Sequence, residues 1–312
     1  MRAIWMSMIL SSMAILGPSI SIASSDICAQ VLDDTFDFNG RIIVEEKAQR
    51  GPRLQEYQER LMLVESLLGN LKRPTETRVT VGHLTIFSVF DRNDFSVYVG
   101  IQPQTASWKR SKVDLDTLNH EYAHAIFEKN LLASIPQFRD QYAAIDARAR
   151  ENDPAVILYT ALHELFADIV TVVTTKNPDT FPELLAASPE ALKSFELGVQ
   201  DSHREFTFEE LNYRSMTLGA HPGALKSWSS LLKQTESKQH PYFLLLPARW
   251  KFWGLVRNKI SSASYQKQII ERVFPILSQE VERMLEFSQD SLSEADVQAL
   301  NYRLMKSLEQ VL

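Results

Sequence analysis

His120, Glu121 and His124 are the residues whose types and spacing speak most directly of chemistry. They form His-Glu-x-x-His. On an α-helix, positions four apart share a face, so the two imidazoles can converge on one metal ion such as zinc. Glu121, one position round, is placed to hold a metal-bound water and take its proton. With 7 histidines in 312 residues, this pentapeptide would arise by chance in roughly one such chain in a hundred. A second observation is therefore needed.

It comes from residues 155–170, an apolar stretch interrupted by His163, Glu164 and Asp168. Glu164 and Asp168 are four apart and share a helical face. Two carboxylates in such a helix cost several kcal/mol unless a cation or hydrogen-bond donors meet them. A catalytic zinc usually takes three protein ligands and leaves its fourth position open. Glu164 can be the third ligand. Asp168 can accept the far N–H of a ligand histidine and fix its tautomer. His163 is a rival third ligand, but it would point some 100° away from the Glu164–Asp168 face.

Together these motifs, over roughly residues 80–175, resemble the gluzincin group of zinc metallopeptidases, the thermolysin-like zincins. That group carries HExxH on one helix and Glu-x-x-x-Asp on a later one. The resemblance implies one Zn2+ per chain, held by His120, His124 and Glu164. Glu121 would be the general base acting on the zinc-bound water, and Asp168 would orient His120. It also implies a peptide or protein substrate, laid in extended form along an edge strand for which Phe95 to Ile101 is the candidate. Gluzincins draw an oxyanion donor, Tyr or His, from downstream of the glutamate ligand. Tyr213, His203, His221 and His240 lie there, and His240 is favoured because His240-Pro241-Tyr242 leads into an apolar helix start. Arg249 would bind a substrate carboxylate or hold the His240 loop. The metzincin pattern fails, because Phe127 and Asn130 stand where it requires glycine and histidine.

The elements that must position these residues follow from periodicity. Leu54, Tyr57, Leu61, Val64, Leu68 and Leu71 mark an amphipathic helix ended by Gly69-Asn70 and Pro74. Residues 78–90 and Phe95–Val99, separated by Asp91-Arg92-Asn93-Asp94, read as a hairpin or small antiparallel sheet. His83 within it is given no role. A helix capped by Asp114 or Asp116 should run through the motif to about Leu132. Others are expected over 138–150, Pro154 to about Thr175, 181–199, 223–236, 247–259, 264–288 and 292–311. The expected class is α+β and zincin-like: a small antiparallel sheet, then the active-site helices and a helical C-terminal lobe. The boundaries expected are a mixed lobe over 24–135 and a helical lobe over 136–312.

Residues 1–23 read as a signal peptide. Arg2 gives the positive start, Ile4 to Leu16 a short apolar stretch, and Ser21-Ile22-Ala23 the cleavage site. The expectation is a secreted or periplasmic protein without a stable membrane anchor. Asp26-Ile27 before Cys28 do not form a lipobox. Loss of Arg2 with the leader takes the formal charge from −6 to −7. That acidity, with no basic run, argues against nucleic acid as partner. One cysteine excludes an internal disulfide, so the fold must rest on its hydrophobic core. Two further functions are compatible with the residues. One is a zinc hydrolase of non-protein amides such as cell-wall peptides. The other is a non-catalytic binding protein on a zincin scaffold, which would have no need of Glu121.

Overall fold

The computed structural model describes residues 35–38, 42–46, 53–82, 89–100, 107–148, 153–180, 228–230, 232–233, 241–287 and 291–312. The leader, His83, Ile101, His203, Tyr213, His221, His240 and the helix expected over 181–199 lie outside them. So does most of 223–236.

In chain order the described elements are β1 (Thr35–Phe38), β2 (Ile42–Glu46), α1 (Arg53–Ser66), β3 (Arg78–Gly82), β4 (Val89–Asp91) and β5 (Ser96–Gly100). Then come α2 (Ser107–Ser134), α3 (Phe138–Arg148), α4 (Pro154–Thr175), α5 (Pro241–Leu244), α6 (Leu246–Val256), α7 (Ala263–Leu285) and α8 (Glu294–Val311). A small sheet early and many helices late make an α+β arrangement.

The described residues fall into two compact units. The first holds the sheet, α1 up to Leu63 and α2 up to Ala125. Its strands lie in the order β1-β2-β3-β5-β4. Val79, Val97 and Val99 are buried while Arg78 is exposed, the alternation of a half-buried sheet. The Asp91–Asp94 turn forms as its residues suggest. Asp91 Oδ1 accepts from the Asn93 amide at 2.8 Å, and Asp94 Oδ1 from the Ser96 amide at 3.0 Å. Phe95 closes the turn at φ 57° and its ring meets Phe90 edge-on at 5.3 Å.

Two expectations about this sheet need correction. It is mixed, not antiparallel: β1–β2 and β4–β5 are antiparallel, whereas β2–β3 and β3–β5 are parallel. Within the run 78–90 the described residues form β3 and β4, and β5 pairs with both, parallel to β3 and antiparallel to β4. In consequence Phe95 to Ile101 does not supply an edge strand. β5 is bonded to β3 along Ser96–Gly100 and to β4 along Ser96–Tyr98, so among the described residues the outer strand beside it is β4.

The second unit holds α2 from Ile126 onward and α3 to α8. Its centre is α4. Asp153 caps this helix, its carboxylate accepting from the Ala155 and Val156 amides at 2.9 and 3.4 Å, with Pro154 in the first turn. Lys176 ends it in the left-handed conformation, φ 57°. Every residue from Pro154 to Thr174 except Thr160 is buried. The helix is long and apolar enough to cross a membrane, but 94% of its most apolar 18-residue window is covered by protein. It is a core helix, packed against α7, α5 and α3.

Helix α2 also departs from expectation. It begins at Ser107, well before Asp114, so Asp116 is an interior residue, 1% exposed, and not a cap. From Leu118 to Glu128 α2 is buried on every side.

Candidate metal centre

A helix buried all round turns its polar residues inward along with the apolar ones, and each of those must find a partner. On α2 the buried polar positions Asp116, His120, His124 and Glu128 recur every four residues and make one stripe. On α4 the corresponding residues are His163, Glu164 and Asp168.

His120, His124 and Glu164 come together: their ligand atoms all lie within 4.8 Å of one another, and all three residues are buried. The Nε2 atoms of the two histidines are 3.0 Å apart, with the rings edge to face at 4.6 Å. Two imidazole nitrogens bound at about 2.0–2.1 Å to one tetrahedral ion would stand about 3.3 Å apart. The observed separation is close to that. Two imidazoles and a carboxylate are a donor set that could bind a metal ion with a coordination position left over. Glu121, 2% exposed, occupies the next position round α2 from His120.

Asp168 is met by Arg249. The guanidinium Nε donates to Asp168 Oδ2 at 3.1 Å, and Nη2 lies 2.9 Å from the same oxygen. Both side chains are wholly buried, so this pair has lost water on both sides and depends on its own geometry. A break in the helix places the arginine. At the junction of α5 and α6, side chains from elsewhere meet the backbone carbonyls of α5. Arg249 Nη1 donates to the Tyr242 carbonyl at 2.7 Å, Trp228 Nε1 to Phe243 at 2.9 Å and Asn301 Nδ2 to Leu244 at 2.8 Å. Asn301 Oδ1 also accepts from the Ala248 amide at 3.2 Å.

Arg249 is wholly buried, and the contacts of its guanidinium with Asp168 and Tyr242 are internal ones. Its fork is turned into the core, where it holds Asp168 and the Tyr242 carbonyl, the latter two residues after His240. Spacing points to the far N–H of His120 as the partner of Asp168, whereas the partner seen at Asp168 Oδ2 is Arg249. No short-range pattern links residues 81 positions apart. His163, the rival ligand, lies outside the cluster, its Nε2 3.5 Å from Glu128 Oε2. No family model, curated protein or solved structure matches this chain.

Proposed function

We propose that the chain is an exported zinc-dependent metallopeptidase of gluzincin type. The observation that carries this reading is the buried convergence of His120, His124 and Glu164, with Glu121 beside His120 on the same helix. His2Glu with an open position is a donor set of catalytic zinc, whereas structural zinc sites are closed and rich in thiolate.

When bound, zinc would polarise the scissile carbonyl and lower the pKa of water. Glu121 accepts the proton of the attacking water and later delivers it to the leaving amine. His120, His124 and Glu164 would hold the metal, Arg249 fixes Asp168, and Asp168 remains the residue proposed on sequence grounds to orient His120. An extended peptide would add to the outer strand Val89–Asp91, in the same unit as both histidines. His240 remains the proposed oxyanion donor on sequence grounds.

The test is peptide-library hydrolysis by the purified zinc-loaded protein and by Glu121→Gln. The variant should keep its zinc and lose activity by roughly 10²–10⁴-fold. Equal activity in the two proteins would defeat the assignment of Glu121. Activity confined to cross-linked wall peptides would move the substrate class to non-protein amides while leaving the chemistry intact.

A further inference from the structure

One turn beyond His124, the α2 stripe ends at Glu128, which is 2% exposed. The hydroxyl of Tyr159 donates to Glu128 Oε2 at 2.5 Å, and His163 Nε2 is 3.5 Å from the same oxygen. Tyr159 and His163 are four apart on α4 and share a face. The His163 ring is flanked by Phe127 at 5.1 Å and by Tyr159 at 5.1 Å. Phe127 in turn stacks on Phe166 at 4.8 Å with an interplanar angle of 21°. The contacts therefore alternate between the two helices: a polar link at Glu128, an aromatic one at Phe127.

We propose that Glu128, Tyr159 and His163 form a positioning clamp for the metal centre, setting the separation and rotation of α2 against α4. This rests on the metal-site reading above. His124 and Glu128 are one turn apart on a continuous helix, about 6 Å along its axis. His163 is the immediate neighbour of Glu164. The clamp thus lies within one turn of ligands on both helices, and any slip there is passed to the ligand set. A metal site accepts errors of only about 0.2 Å in ligand distance, so a slip of half an ångström matters. Packing alone is less exacting, because apolar surfaces are non-directional. A hydroxyl on a carboxylate fixes both distance and angle.

The test measures zinc affinity by competition with a chromophoric chelator, the visible spectrum of the cobalt-substituted protein, and melting of the metal-free protein. Tyr159→Phe removes one oxygen and keeps the ring, so it is the variant least liable to misfold. It should weaken zinc roughly 10–100-fold, as loss of groups that orient metal ligands does, and alter the cobalt spectrum. Glu128→Gln, whose amide oxygen still accepts from Tyr159, should lie between Tyr159→Phe and wild type. Gln266→Leu is the structural control. Gln266 Nε2 bonds the Val173 carbonyl at 2.6 Å, near the far end of α4. This change should lower the melting temperature without moving zinc affinity. If Tyr159→Phe and Glu128→Gln bind zinc like wild type and only melt earlier, the clamp is structural and the proposal fails while the metal site stands. If wild type binds no zinc, both fail together.

Discussion

Two buried carboxylates in this chain sit in opposite kinds of surroundings. Glu280 on α7, 4% exposed, is gripped by Arg283 of its own helix and by Arg303 of α8, whose Nη2 is 2.8 Å from Oε2. Both arginines remain half in water, at 47% and 42% exposure. Asp168 on α4 is held by Arg249, and neither group has any exposure. One turn earlier, Glu164 converges with two histidines instead of with a surface cation. A carboxylate that snorkelling arginines can reach is an ordinary device for closing a helix pair. One whose partners are also buried, and whose neighbours are converging imidazoles, marks a place where the fold is organised around a charge.

That contrast can be broken experimentally, the largest effect first. Arg249→Met leaves Asp168 charged and buried and removes the donor to the Tyr242 carbonyl. It should cost about 3–5 kcal/mol in urea-monitored unfolding, and zinc retention should fall with it. A loss under about 1 kcal/mol would mean that water reaches the pair. Glu280→Gln should cost only about 1 kcal/mol, since its arginines can turn to solvent, and zinc binding should not change. Ser293→Ala tests the quiet end of the scale. Ser293 and Asp296 form a capping box at the start of α8, with the Asp296 amide 3.2 Å from Ser293 Oγ. Its loss should cost about 1 kcal/mol by thermal melting, again without effect on metal.

Sequence periodicity reached the second unit better than the first. The expected helix from Pro154 to Thr175 matches α4 at both ends, because its apolar run is continuous and Asp153-Pro154 is a strong start signal. The start of α2 at Ser107 leaves no such signal. Its first turns, Ser107 to Lys112, carry few apolar residues for a period to register on, and Asp114 and Asp116 resemble caps in isolation. In the sheet, composition and alternation mark 78–90 and Phe95–Val99 as strand-forming but not which strand each chooses, since pairing is a non-local decision. Alternation therefore leaves open that β5 is an inner strand and that the sheet is mixed.

The candidate site divides the same way. His120 with His124 and Glu164 with Asp168 are legible because four-residue spacing is itself geometry. Arg249 and Tyr159 are not, because their partners are brought to them only by tertiary packing. Glu128 had a local signal, the continuation of the buried stripe one turn past His124.

The central claim is that His120, His124 and Glu164 hold one metal ion. Its most direct test is the zinc content of the purified, zinc-equilibrated chain, compared with His124→Ala, Glu164→Gln and Glu121→Gln. The expected result is about one zinc per chain in wild type and in Glu121→Gln, and little in the two ligand variants. A wild-type protein that holds no zinc, or ligand variants that hold as much as wild type, would contradict it.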